Sequence, residues 1–112
     1  MNTACDIAQR RCIPCEGGVA PLTDENARAL LVNLDGWELA GKTIEKTFRF
    51  ASHYETMAFV NALAWISHRE DHHPDLTVGY ADCRVSYSTH AIDGLSENDF
   101  ICAAKVDRLF VL

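Results

Sequence analysis

Three histidines and one aspartate in the second half of the chain could exchange protons with a bound ligand. His72 and His73 are adjacent and precede Pro74, while His90 and Asp99 follow further along the chain. An imidazole titrates near neutral pH, so it can either give or take a proton under physiological conditions. A carboxylate can orient an imidazole or balance its charge. These side chains therefore predict an acid/base site for a small ligand.

The spacing of these residues resembles the signature of a known enzyme family. In chain order the pattern comprises His68, His72-His73-Pro74, Tyr80, His90 and Asp99. This order is similar to that of the pterin-4a-carbinolamine dehydratases, also called 4a-hydroxytetrahydrobiopterin dehydratases. The similarity is specific because several uncommon residue types must fall at fixed intervals. It extends from about Leu22 to Phe110.

The resemblance implies a reaction, a mechanism and a set of residues. The reaction is the dehydration of a 4a-hydroxytetrahydropterin to the quinonoid dihydropterin and water in tetrahydrobiopterin recycling, without a metal or another cofactor. The candidate catalytic residues are His72, His73 and His90. We expect His72 and His90 to handle the protons, His73 to bind and orient the pterin, and Asp99 to orient His90. The candidate substrate-binding residues are His73, Pro74, Tyr80, Asp99 and Trp37.

Other interpretations remain open from the sequence. His68 and His72 are four residues apart and could bind a metal with His73 or His90 if a helix continued through both. Asp99 could serve only as the carboxylate of a helix capping box. Some relatives bind protein partners, including a homeodomain transcription factor and a carboxysome enzyme, so the chain could be a scaffold without activity. The substrate could also be another pterin, including a molybdopterin-linked one.

The composition favours one globular domain that binds a small molecule. The chain has 112 residues, of which 48% are apolar, and a net charge of -6. This charge argues against direct binding of nucleic acid. An apolar run long enough to cross a membrane is missing, and the N-terminus lacks the features of a secretory signal. The chain has five cysteines, and this odd number cannot all pair in disulfides within one chain. We therefore expect reduced thiols and a cytoplasmic location.

The first 20 residues are predicted to form an N-terminal extension before a domain at residues 21–112. They contain Cys12-Ile13-Pro14-Cys15, which has the spacing of a zinc knuckle or a redox pair. A structural zinc site needs four ligands, and a second Cys/His pair is not close in the sequence. The glycines and prolines, without hydrophobic periodicity, predict a loop or tail. A similar extension occurs in many bacterial members of the family that the chain resembles.

Hydrophobic periodicity predicts an α+β domain in the order α-β-β-α-β-β-α. The helices should run from Thr23 to about Asn33, from Ser52 to about His68, and from the capping residues Ser96–Asp99 onward. The four strands should form an antiparallel sheet, with three helices packed on one face. The long middle helix has two apolar faces, one with Phe59 and Leu63 and one with Met57 and Val60. A second packing partner would cover the second face, so we expect a homodimer or homotetramer.

Overall fold

The centre of the fold is an antiparallel sheet of four strands. The structure is a computed structural model that describes residues 4–13 and 19–110. For residues 4–6 it describes the backbone but not the side chains. The strands are β1 (Glu38–Ala40), β2 (Thr43–Arg49), β3 (Asp75–Val78) and β4 (Asp82–Tyr87). They lie in the order β1-β2-β4-β3, so β2 and β4 are central. The predicted α+β class and antiparallel sheet are confirmed.

One face of the two central strands is buried because apolar residues alternate with polar ones. On β4, Cys83, Val85 and Tyr87 are completely buried. The register places Tyr87 opposite Ile44 and Cys83 opposite Phe48, so these side chains share one face. Ser86 and Glu45 pair on the other face and are joined by a hydrogen bond of 3.2 Å. This alternation explains why the helices cover a single face of the sheet.

Within the described part of the chain, the helices are α1 (Ala4–Gln9), α2 (Asp24–Leu31), α3 (His53–Glu70) and α4 (Glu97–Asp107). The side-chain oxygens of Thr23, Ser52 and Ser96 cap the starts of α2, α3 and α4, as the sequence predicts. None of these helices combines the length and apolarity that a membrane crossing requires.

The N-terminal extension is more ordered than the sequence predicted. The prediction of a loop or tail is wrong for Ala4–Gln9, which form α1 and pack against α4. Ile7 and Ala8 are buried in the core, and the ammonium group of Lys105 donates a hydrogen bond of 2.6 Å to the carbonyl oxygen of Ala8. Six residues are too few to show a helical period, and the burial depends on α4, which is distant in sequence. The zinc or redox interpretation of Cys12 with Cys15 lies partly outside the described residues, because Cys15 is not among them.

A short segment after α1, Arg11–Ile13, forms a strap. The backbone N–H of Cys12 donates to Glu70 Oε1 over 2.8 Å. The side-chain amide of Asn98 holds Ile13 twice, with Oδ1 accepting from its N–H at 3.0 Å and Nδ2 donating to its carbonyl at 2.5 Å. The strap is therefore fastened between the end of α3 and the start of α4.

The long helix α3 is only partly covered within one chain. Phe59 and Leu63 are buried, whereas Met57 and Trp65 are exposed. The exposed apolar side chains on the second face are consistent with a further packing partner. A homodimer or homotetramer stays a prediction.

A left-handed residue ends α3 and sets the position of His72. Asp71 has φ of 50°, and its N–H and that of His72 both donate to the carbonyl oxygen of Ser67. This cap stops the helix between His68 and His72, so the two imidazoles do not share a helical face. The chain then enters β3 through Pro74.

The left-handed conformation of Asp71 makes its substitution predictable. Asp71→Val should lower the free energy of unfolding by about 1–2 kcal/mol, because a β-branched residue is strained at positive φ. Asp71→Gly should leave it unchanged or raise it, because glycine adopts this conformation without a Cβ penalty. Urea denaturation followed by circular dichroism measures both variants. Equal stabilities of the two variants would contradict the role of the backbone conformation.

Candidate active site

A cavity of about 510 Å³ contains the three predicted histidines in its lining. Its walls come from the end of α3, the residues just after β4, the first turn of α4 and the strap. This volume lies within the range of small-molecule sites, about 300–1,000 Å³. The adjacent His72 and His73 thus face the same space as His90, which lies further along the chain.

His72 is held against a buried carboxylate. Its Nε2 lies 2.6 Å from Asp99 Oδ1, and the side chains of His72 and Asp99 are 12% and 0% exposed. With Asp99 ionised, the N–H at Nε2 donates to the carboxylate and Nδ1 carries the lone pair when the ring is neutral. Asp99 therefore fixes both the orientation and the tautomer of His72, and it stabilises the imidazolium that forms when Nδ1 takes a proton.

Asp99 is satisfied by donors from three segments of the chain. Oδ2 accepts from the hydroxyl of Thr89 at 2.8 Å and from the backbone N–H of Ser96 at 3.0 Å. Thr89 has a single hydroxyl proton, which it gives to Asp99, so the Thr89–Ser96 hydroxyl contact of 2.7 Å has Ser96 as its donor. All hydrogen bonds then point toward the carboxylate, which is the pattern that an ionised acceptor requires.

The imidazole of His72 also stacks on a buried aromatic ring, that of Tyr87. The rings of His72 and Tyr87 are nearly parallel, at 6°, with their centroids 5.9 Å apart. Burial raises the pKa of Tyr87 well above its ordinary value, and the charges of Cys102, Cys12 and Asp99 add to this rise. Tyr87 therefore stays a neutral phenol and offers His72 an uncharged surface.

The other two histidines are exposed and line the cavity. His73 follows His72 and is exposed, and His90 begins a short 3-10 turn, His90–Ile92. Thr89 and Gly94 pair with each other on either side of this turn, with an N–H to oxygen distance of 2.8 Å, and so fix the position of His90. Toward the residues that the structure describes, neither ring forms a hydrogen bond.

The strap closes one side of the cavity through Cys12 and Ile13. Its anchor on α3, Glu70, also forms an ion pair with Arg11 at 3.1 Å. Burial alone would raise the pKa of Glu70, but the N–H of Cys12 and the charges of Lys105 and Arg11 outweigh it and lower the pKa below its ordinary value. Because its pKa is lowered, ionised Glu70 stabilises the folded protein. This stabilisation is fully present above the ordinary pKa of a glutamate and is lost as the pH falls through the lowered value.

Two predicted substrate-binding residues lie away from the cavity. Tyr80 is 76% exposed and stacks on His53, with ring centroids 5.3 Å apart. Trp37 is buried in the core, where its Nε1–H donates to Asp107 Oδ2 over 3.0 Å. The carboxylate of Asp107 also forms an ion pair with Lys46.

The remaining predictions fall at or beside the cavity. Pro74 is half-buried between His73 and β3 and does not line it. Asp99 lies behind His72 and contacts that ring, whereas we expected it to orient His90. Sequence reasoning did not identify the lining residues Glu70, Thr89 and Asn98. Each lies within two positions of a predicted residue, and this closeness in sequence could have indicated them. The strap has no such neighbour in the sequence.

Comparisons with known sequences agree on one family. The family model described as pterin 4 alpha carbinolamine dehydratase matches residues 20–109. A protein of Nitrosomonas europaea is 65% identical over 111 residues, covering 98% of each chain. A protein of Nitrosospira multiformis is 64% identical over 109 residues, covering 97% of this chain and 96% of its own. Both carry the provisional name pterin-4-alpha-carbinolamine dehydratase.

Two solved structures share the fold. A protein of Brucella melitensis described as a transcriptional coactivator/pterin dehydratase has a TM-score of 0.76 and 27% identity, covering 80% of this chain and 97% of its own. A pterin dehydratase-like protein identified as a RuBisCO assembly factor in the alpha-carboxysome has a TM-score of 0.58 and 30% identity, covering 66% of this chain and 88% of its own.

Removing the charge of Asp99 tests the network around it. In Asp99→Asn the amide oxygen keeps the bonds from Thr89 and Ser96 only if the NH2 group faces Nε2 of His72, which must then accept instead of donate, and the charge-assisted hydrogen bonds of the carboxylate are lost. The free energy of unfolding should fall by about 1–3 kcal/mol. Glu97→Gln is the matched control, because Glu97 is exposed and its pair with Arg10 lies on the surface. This control should change stability by less than about 1 kcal/mol in the same urea titration. A similar change in both variants would contradict the structural role of Asp99.

Proposed function

Because the chain belongs to the pterin-4-alpha-carbinolamine dehydratase family, we propose that it dehydrates 4a-hydroxytetrahydrobiopterin to the quinonoid dihydropterin and water, in tetrahydrobiopterin recycling. The observation that carries the proposal is the single cavity of about 510 Å³ that holds His72, His73 and His90. Its volume suits a flat bicyclic ligand, and its imidazoles can both give and take protons near neutral pH.

The reaction needs one acid and one base. Proton donation to the 4a-hydroxyl group converts it into a water molecule that can leave C4a. The lone pair of N5 forms the new C4a–N5 double bond as the C4a–O bond breaks, and loss of the N5 proton then gives the neutral product. Each positioned proton transfer contributes about a hundredfold to ten-thousandfold in rate.

We assign the base to His72 because Asp99 holds it. An imidazole with Nε2–H bound to a carboxylate presents Nδ1 as the proton acceptor, and the carboxylate stabilises the resulting cation. Asp99 itself is completely buried, so it is a positioning residue and does not touch the pterin.

The acid comes from the exposed pair, His73 and His90. Both line the cavity, and toward the described residues neither ring is committed to a hydrogen bond. Kinetics distinguishes the two roles. Loss of the ring that donates a proton to the leaving hydroxyl lowers kcat, whereas loss of the ring that only orients the pterin raises KM.

A scaffold function is the second candidate, because the descriptions of the two similar solved structures also name roles in protein assembly or transcription. One of these proteins is described as a transcriptional coactivator/pterin dehydratase and the other as a pterin dehydratase-like RuBisCO assembly factor. A scaffold without activity would have no physical need for three histidines around one cavity, although Asp99 would still cap α4. A dehydratase for a pterin with a different side chain is a further alternative, decided by comparing kcat/KM between tetrahydrobiopterin and 6-methyltetrahydropterin derivatives.

Dehydration by wild-type protein is the decisive measurement. The carbinolamine is generated enzymatically, and formation of the quinonoid dihydropterin is followed by absorbance. Wild type should accelerate this step, and His72→Ala should lower kcat by about a hundredfold to ten-thousandfold, since the base is lost. One of His73→Ala and His90→Ala should show a comparable loss of kcat, and the other mainly a rise in KM.

The matched control is His68→Ala. His68 is exposed on α3 and packs against Trp65 outside the cavity. Its substitution should leave both kinetic constants within about twofold, because surface changes away from a site have small effects. Absence of acceleration by wild-type protein would overturn the enzymatic proposal in favour of the scaffold.

A further inference from the structure

Two thiols from distant parts of the chain meet beside the cavity. The sulfur of Cys12, on the strap, lies 3.4 Å from the sulfur of Cys102, on α4. Cys12 is half-buried and lines the cavity, whereas Cys102 is completely buried in the core. Their proximity is a property of the docked strap, because 90 positions separate them in the sequence.

We propose that Cys12 and Cys102 are a redox-active pair whose reversible disulfide ties the strap to α4 at the cavity wall. A disulfide needs sulfurs about 2.0 Å apart, so the two atoms must approach by roughly 1.4 Å. The strap can supply this movement, since it is held by hydrogen bonds to the side chains of Glu70 and Asn98 and is not part of a helix. The inference does not depend on the proposed dehydratase activity.

The cavity gives an oxidant access to only one of the two sulfurs. A small disulfide such as oxidised glutathione reaches Cys12 from the cavity, and the Cys12 thiolate attacks one of its sulfurs. A mixed disulfide forms, and one glutathione thiolate leaves. Cys102 then loses its proton to solvent and attacks the Cys12 sulfur, which releases the second glutathione thiolate. The two protein thiols have lost two electrons, and oxidised glutathione has become two reduced glutathione molecules.

The second step should be slow at neutral pH. The hydrogen bond with Cys12 and burial both raise the pKa of Cys102 above its ordinary value. The first cause disappears once Cys12 is capped, but burial remains and keeps Cys102 in its thiol form. Since the thiolate is the attacking species, closure of the disulfide should accelerate as the pH rises.

Peptide mapping tests the pair directly on the full chain. Wild-type protein is equilibrated with oxidised glutathione, alkylated at low pH and digested with trypsin without reduction. Trypsin cleaves after Arg11, Arg28, Arg84 and Lys105, so Cys12 falls in peptide 12–28 and Cys102 in peptide 85–105. We expect these two peptides to be joined, to show the loss of two hydrogen atoms, and to separate after treatment with dithiothreitol.

Three variants assign the bond. Peptide 12–28 also contains Cys15, so the link should persist in Cys15→Ser and disappear in Cys12→Ser. Cys83→Ser is the matched control, because Cys83 is as buried as Cys102 but lies on β4 and should not affect the link. A disulfide within peptide 12–28, a stable glutathione adduct on Cys12 without closure, or full alkylation of both thiols after oxidation would each overturn the proposal.

Discussion

A single buried carboxylate joins the segments that build the cavity. Asp99 receives the N–H of Ser96 at the start of α4, the hydroxyl of Thr89 just after β4 and the imidazole of His72 just after α3. The sequence allowed two roles for Asp99, as a capping residue or as part of a functional site. The structure shows that the same carboxylate completes the capping box and contacts His72, so the geometry of the site and the start of the last helix are set together.

The parts of the fold that local patterns control could be predicted from sequence. The alternation of Cys83, Val85 and Tyr87 with polar residues is a local pattern that indicates the buried face of β4, and the capping residue Ser96 predicted the start of α4. Tyr80 was predicted to bind the substrate, but it lies in the turn after β3, which ends at Val78, and in this turn the N–H of Gly79 donates to the carbonyl oxygen of Asp82 over 2.8 Å. Trp37 was assigned to the pocket from its residue type, but its indole N–H is satisfied by Asp107 from a distant helix, and no local pattern encodes that partner.

The strap shows how a cavity can be completed from outside the segment that defines a family. The family model begins at residue 20, whereas Cys12 and Ile13 form part of the cavity wall. The relatives from Nitrosomonas and Nitrosospira match over almost the whole chain, so their alignments extend into this region. The histidines could be recognised from their spacing, but the strap depends on Glu70, which accepts a hydrogen bond from its backbone, and on Asn98, which both accepts and donates. Such contacts leave no periodic mark in the sequence.

The aromatic packing around Tyr87 has an optical consequence. The centroid of its ring lies 5.9 Å from that of His72 and 6.1 Å from that of Trp37, so an indole is one ring away from the imidazole that Asp99 holds. Trp37 is 5% exposed while Trp65, the second tryptophan of the chain, is 61% exposed. Their emission bands should therefore separate, with Trp37 at shorter wavelength and protected from iodide quenching. The molecule thus carries its own fluorescent reporter for events at His72, readable without a label.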